Sequence, residues 1–150
     1  MVVKKSEVDL LFKEAIGKSV GGPTTKIHAA VDALGNPLRF ILTPGQQHDV
    51  TVAEDLIEWF SPTSVLADKA YDSDKFTQLL ESKGIIACIP PKKNRLNPRT
   101  YDKHQYKNRH LIENFFEKLK FYRKISMRYE KLEKTFLGLI YLVSSRILML

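Results

Sequence analysis

The stretch from Ser64 to Ile89, SVLADKAYDSDKFTQLLESKGIIACI, decides the fold. It opens on a short apolar run, Val65-Leu66-Ala67, that stops at Asp68. A helical segment follows, capped by Asp72 or Ser73 and closed at Gly84. The chain then returns to a second apolar run, Ile85–Ile89. Two short apolar strands around a helix read as parallel neighbours of a buried sheet. In such sheets ligands gather at the C-terminal strand ends, which is where Asp68 falls. Asp68 also suits a plain turn before a loop.

Upstream, Thr24–Asp32 alternates, with Lys26, His28, Ala30 and Asp32 on one side and Ile27, Ala29 and Val31 on the other. Leu34-Gly35-Asn36-Pro37 is a turn, and Leu38–Leu42 returns as the second strand of a hairpin. Gly45–His48 reads as a loop, and a helix capped by Asp49 or Thr51 runs through Phe60 until Pro62 stops it. Trp59 and Phe60 are expected in the core. Residues 1–20 form an irregular segment with one amphipathic piece, Asp9–Ile16, and Gly21-Gly22-Pro23 is a break.

Downstream of the Pro90–Thr100 loop, no Gly or Pro interrupts Asp102–Leu137, so two helices are expected there. Leu137–Leu150 is apolar but carries Arg146 and falls short of the ~20 residues that span a bilayer. It reads as a docking helix, and no membrane partner is expected. The architecture is thus α/β, a mixed sheet flanked by helices, in one domain over 1–150.

With 43% hydrophobic and 27% charged residues the composition is that of an ordinary globular protein. The single cysteine, Cys88, excludes an intrachain disulfide framework and fits a cytoplasmic location. It lies in an apolar run and is expected to be buried. The net charge of +7 is uneven. Residues 92–134 hold 14 Lys and Arg against 5 Asp and Glu, a net of +9; the rest of the chain is faintly acidic. Such a block is the electrostatic footprint of a phosphate backbone.

Within that block, Tyr106, Arg109, Glu113 and Lys120 sit at offsets of 0, 3, 7 and 14. On a continuous helix they fall at roughly 0°, 300°, 340° and 320°, one narrow stripe. Leu111, Ile112, Phe115, Phe116, Leu119 and Tyr122 take the other side. One carboxylate among cations suits a site that holds a divalent metal and a polyanion together. The same spacing also suits a solvated face with an Arg109–Glu113 ion pair.

These residues carry a resemblance. Gly21-Gly22-Pro23-Thr24-Thr25-Lys26-Ile27-His28, Ala67-Asp68-Lys69-Ala70-Tyr71-Asp72 and the Tyr106-x2-Arg109-x3-Glu113-x6-Lys120 signature are similar to the catalytic domain of bacterial insertion-sequence DDE transposases. The resemblance covers about residues 20–140 and corresponds to the C-terminal two thirds of that domain. It implies a ribonuclease-H-like fold, with Asp68 and Glu113 as catalytic, metal-binding carboxylates for Mg²⁺ or Mn²⁺. It implies Tyr106, Arg109 and Lys120 as DNA-binding residues, and DNA cleavage and strand transfer in transposition. The partners it implies are transposon ends and target DNA, with a second copy of the chain or an upstream-frame polypeptide beside them.

The family's pattern also requires a first Asp, on a strand pairing with Thr24–Asp32. Asp9 lies only 12 residues before Gly21, close for that role, and Asp32 reads as a turn residue. The expectation is a domain lacking its first strand. An inactive DNA-binding remnant or regulator of transposition is the alternative. His28, His48, His104 and His110 show no metal-ligand spacing, although His48-Asp49 ends a loop near the active end of the sheet. Gly21-Gly22 lacks the Lys-Ser/Thr of a phosphate loop.

The charge distribution generates a first expectation. Binding to duplex DNA should fall steeply with added salt. Replacing Lys120 or Arg109 by Ala should weaken it more than replacing Lys4 or Lys5, as read by fluorescence anisotropy. Equal losses from both pairs would mean the signature cations are surface charge.

Overall fold

The computed structural model describes residues 15–19 and 22–149. Its strands are β1 (Gly17–Ser19), β2 (Gly22–Val31), β3 (Pro37–Pro44), β4 (Ser64–Leu66) and β5 (Ile86–Cys88). Its helices are α1 (Ala53–Ile57), α2 (Asp74–Ser82), α3 (Lys103–Tyr106), α4 (His110–Lys120), α5 (Arg123–Ser126) and α6 (Glu133–Leu148). The chain is therefore mixed α/β. It gathers into two compact units, one of residues 28–40 and 48–116, the other of residues 1–27, 41–47 and 117–150.

The first unit contains the strand–helix–strand segment. β4 and β5 pair in parallel, Ser64 opposite Ile86, Val65 opposite Ala87 and Leu66 opposite Cys88. α2 starts where Ser73 Oγ accepts from Phe76 N at 3.1 Å, so Ser73 rather than Asp72 is the cap. It ends at Gly84, which takes φ +69° while its N–H donates to Glu81 O. α1 and α2 bury Ala53, Ile57, Phe76 and Leu80 against Ile85 and Ile89 flanking β5. Cys88 is buried as expected, and its Sγ donates to Asp102 O at 3.1 Å.

The hairpin turn is held by Asp32. Its carboxylate accepts from Leu34 N at 2.8 Å and from Asn36 N at 2.9 Å. Gly35 takes φ +85° there, a backbone conformation that side chains rarely adopt, and a Cβ on it would stand 3.5 Å from Leu111 Cβ. The turn reading of Asp32 is thus realised in its hydrogen bonds.

Four expectations change. The single mixed sheet is two sheets among the described residues, one ordered β1-β2-β3 and one β4-β5. No described strand carries the ladder from the hairpin to the parallel pair. Gly22 and Pro23 are not a break but the start of β2, where Gly22 pairs antiparallel with Ser19 of β1. The first helix is shorter than expected: Asp49–Val52 is a 3-10 turn, with Thr51 bonded back to His48 O, and α1 stops at Ile57. Trp59 is 76% exposed, because Ala53, Leu56 and Ile57 occupy the core face of α1, and the Arg39 guanidinium lies 4.1 Å from its ring centre. The Asp9–Ile16 piece falls almost entirely outside the described residues.

In the second unit the helical region divides where no Gly or Pro stands. Arg128 takes φ +42°, and its guanidinium donates to Glu130 O, Lys131 O and Ala15 O. Carbonyls left without helical partners are satisfied by that side chain. α6 then runs unbroken across the position where a separate C-terminal helix was expected, burying Phe136, Ile140, Val143 and Ser144 at helical spacing. No helix of the described residues is long and apolar enough to cross a membrane.

Gly45 is required by close approach. Its N–H donates to Thr24 O at 3.1 Å, and a Cβ there would stand 1.9 Å from Thr24 Oγ1. Gly45→Ala should cost about 1–3 kcal/mol in urea unfolding. Adding Thr24→Ala should return part of that loss; strictly additive costs would show the clash is relieved elsewhere.

Candidate active site

Asp68 follows β4 and caps the 3-10 turn Lys69–Tyr71. Its Oδ1 accepts from Ala70 N at 2.7 Å, and its carbonyl accepts from Tyr71 N at 3.1 Å. The carboxylate is therefore fixed by its own turn, while Oδ2 makes no hydrogen bond among the described residues. Tyr71 hydroxyl lies 3.0 Å from Nδ1 of the buried His28 on β2. Burial pushes the Tyr71 phenol up, and the charges of Asp49 and Asp68 push it further. It stays protonated and neutral beside two carboxylates.

The other side chains come from the segment after residue 100. Asp102 starts α3 by accepting from His104 N at 2.8 Å and Gln105 N at 3.0 Å. Gln105 Nε2 donates to Ser64 Oγ at 2.8 Å, and Cys88 Sγ holds Asp102 O. Two bonds thus tie α3 to both strands of the parallel pair. Tyr106 ends α3, with Tyr101 edge-on at 5.4 Å between ring centres. The Arg109 guanidinium lies 5.6 Å from the Tyr106 ring centre and pairs with Glu113 Oε1. Burial pushes the Tyr106 phenol up; Arg109 opposes this, and Asp68, Tyr101 and Glu113 add to it.

The structure brings Tyr106, Arg109 and Glu113 together and leaves Asp68 in the turn after β4, the strand that Gln105 reaches through Ser64. The expected continuous stripe is interrupted, since Lys107–Arg109 is a 3-10 turn between α3 and α4. Such a turn advances about 120° per residue and skews the wheel. Lys120 is the exposed last residue of α4, two turns beyond Glu113, and makes no ion pair among the described residues. Phe115 and Leu119 of the same helix are buried, as the apolar face requires.

The sequence reading missed Asp72. It is 3% exposed, and its carboxylate accepts from Lys92 N at 2.8 Å, from Arg95 Nε and from Arg99 Nη2 at 3.1 Å. Arg95 Nη1 and Arg99 Nη2 also reach Asp74 at 2.8 and 3.0 Å, and Arg99 Nη1 donates to Thr77 Oγ1. Two arginines of the basic loop thus point into the protein. The lysines at 92, 93, 103, 107, 118 and 120 remain exposed. The available signal was two Asp beside a helix start and two Arg in one Pro-bounded loop, but nothing local fixed their pairing.

An Asp following a strand end and a Glu on a helix beside Tyr106 and Arg109, in a mixed α/β chain, are parts that a known class of DNA-processing domains combines. The family described as "Transposase DDE domain" matches residues 13–148, and the chain belongs to it. It is an insertion-sequence transposase domain, homologous to two curated proteins. The putative transposase for insertion sequence element IS6501 of Brucella ovis is 41% identical over 126 residues, covering 83% of this chain and 97% of that protein. The putative transposase for insertion sequence element IS402 of Burkholderia cepacia is 28% identical over 121 residues, 73% of this chain and 55% of that protein. No solved structure matches the chain.

The buried pair allows a direct test. Burial pushes the Asp72 carboxyl up, but hydrogen bonds from Arg95 and Lys92 and the charges of Arg95 and Arg99 hold it below its ordinary value. Asp72→Asn should cost about 3–5 kcal/mol near neutral pH, because two guanidinium groups lose the buried one of their two anions and keep only the exposed Asp74. A depressed pKa contributes stability above the unfolded value of about 3.9, and this is lost as pH falls through the folded value. The gap between wild type and variant in urea unfolding should therefore close in acid; a constant gap would overturn the linkage.

Proposed function

We propose that this chain carries metal-dependent cleavage and joining of DNA in transposition, with Asp68 and Glu113 as the metal-binding carboxylates. The observation that supports this most is that the Arg109 guanidinium lies 5.6 Å from the Tyr106 ring centre and pairs with Glu113, on a segment that Gln105 bonds to Ser64 of β4, the strand ahead of Asp68. DDE transposases as a family use divalent metal. The donor chemistry here fits one. Asp68 keeps Oδ2 and Glu113 keeps Oε2 outside any described hydrogen bond, and both are hard oxygen donors suited to Mg²⁺ or Mn²⁺. Among the described residues no group of three or more His, Cys, Asp or Glu gathers at one point. A metal held by Asp68 and Glu113 would supply activation of the attacking oxygen and stabilisation of the leaving one.

The chain's own residues do the rest. Asp68 is held by Ala70 N and keeps its aim. Arg109 and Lys120 neutralise phosphate oxygens, the first from beside Glu113 and the second from the end of α4. Tyr106, kept protonated, offers a hydroxyl beside Arg109. Water attacks phosphorus and the P–O3′ bond breaks, leaving a 3′-hydroxyl. That hydroxyl then attacks a target phosphate and releases a target 3′-hydroxyl.

For the first carboxylate of the triad, Asp32 is engaged by its own turn, and Asp9 lies outside the described residues. We read the domain as a ribonuclease-H-like fold in which, among the described residues, no strand joins the hairpin to β4. The two separate sheets support that reading. A second reading, a DNA-binding regulator without chemistry, draws on one observation: Arg109 engages Glu113 as a plain ion pair.

Strand-transfer assays with Mg²⁺ or Mn²⁺ on the element's own terminal DNA separate the readings. Asp68→Asn and Glu113→Gln should each lower activity by at least the roughly 10–100-fold that outer-shell partners of metal ligands cost. Binding of the same DNA should persist. Binding with no metal-dependent activity would favour the regulator; unaffected variants would remove Asp68 and Glu113 from the site.

A further inference from the structure

We propose that the loop Lys92–Arg99 is a preformed DNA-probing finger whose apolar tip, Leu96, wedges between stacked base pairs. The proposal rests on the DNA-binding reading above and deepens it. Leu96 is 98% exposed, more than any other large hydrophobic residue described. A leucine fully in water contributes nothing to the core, and this one sits where a flexible loop would be unremarkable. The loop is instead clamped on both sides of the tip.

On one side Arg95 binds Asp72 through Nε and Asp74 through Nη1 at 2.8 Å. On the other, Arg99 binds Asp72 and Asp74 through Nη2 at 3.1 and 3.0 Å and Thr77 through Nη1 at 2.6 Å. The base is fixed by Lys92 N on Asp72 Oδ2 at 2.8 Å, and the turn by Arg95 N on Lys92 O at 3.2 Å. Pro90, Pro91 and Pro98 restrict the backbone further. The ordering that a wedge needs is therefore complete before DNA arrives.

The chemistry around the tip selects the partner. Lys92 and Lys93 are exposed at the base of the loop, placed for phosphates, and the exposed Asn94 and Asn97 flank the leucine. Apolar wedges set among Lys, Arg, Asn and Gln are how minor-groove proteins unstack a base step. A leucine that docks on protein belongs in an apolar patch, whereas the neighbours of this one are Asn94, Arg95 and Asn97. The clamp also sets the location. Asp72, which anchors both arginines, lies in the same turn as Asp68, its N–H bonded to Lys69 O at 3.2 Å. Unstacking would thus occur at a fixed displacement from the candidate cutting carboxylate.

The test uses the full chain and two short duplexes, one from the element's termini and one unrelated, each with 2-aminopurine at a flexible TA or CA step. Wild-type protein should bind, by anisotropy, and raise 2-aminopurine fluorescence. Leu96→Ala should remove most of that rise while changing affinity less than about tenfold and leaving the melting temperature unchanged. Leu96→Met should keep the rise, since an unbranched apolar tip still inserts. Leu34→Ala, at another highly exposed leucine (80%), should leave it intact. A rise equal to wild type in Leu96→Ala, an equal loss in Leu34→Ala, or binding without any rise would overturn the wedge while DNA binding stands. Altered sedimentation of Leu96→Ala with an unchanged fluorescence rise would assign the tip to a protein contact instead. Failure of the wild type to bind either duplex would remove the DNA-binding reading itself.

Discussion

A carboxylate cannot be buried alone, and Asp72 is buried. Taking one carboxylate out of water costs several kcal/mol unless charge and hydrogen bonds replace the lost solvation. Here the replacement comes from across the sequence, in Lys92 N, Arg95 and Arg99. The consequence is geometric. The turn after β4 and the loop after β5 are locked together beyond the C-terminal ends of the parallel pair. Asp68 occupies that turn, so its orientation depends on an ion cluster that never touches it. Asp74 and Thr77 add acceptors for the same guanidinium groups, which places the start of α2 in the cluster as well.

The cluster also changes what the basic block does. By sequence all 14 cations of residues 92–134 are equivalent contributions to a positive field. In the structure they divide by role. Arg95 and Arg99 neutralise buried or partly buried acids, and Arg128 closes a helical break through backbone carbonyls. Arg109 faces Glu113. The guanidinium groups thus do the work that needs several donors in fixed directions, and the exposed lysines supply point charge toward solvent. A phosphate backbone would meet mostly lysines.

Much of the fold was legible because local signals agreed with one another. Apolar runs bounded by Ser73 and Gly84 gave the strand–helix–strand segment, and Asp32 with Gly35 gave the hairpin turn. The signature at 106, 109 and 113 was legible because its members are close enough to touch within two helical turns. What escaped depended on distance or on competition. The pairing of Asp72 with Arg95 and Arg99 spans 23 and 27 residues. The break at Arg128 needed a side chain to replace helical hydrogen bonds, which no propensity encodes. Trp59 lost the core to Leu56 and Ile57 one turn earlier, and Arg39 covers its ring instead. The division into two sheets was invisible because each strand alone reads correctly.

The two candidate carboxylates end in unlike surroundings. Glu113 faces a guanidinium and is locally compensated. Asp68 has a single backbone donor and stands within reach of two tyrosines, Tyr71 and Tyr106, whose phenols its charge helps to keep protonated. Neutral hydroxyls do not cancel a negative charge; they only orient toward it. The Glu113 carboxylate thus has a cation beside it, Arg109, and the Asp68 carboxylate a backbone N–H. That difference follows from which element supplies each group: a helix surface brings its neighbours at i±4, whereas a strand end is surrounded by whatever the following turns fold back upon it.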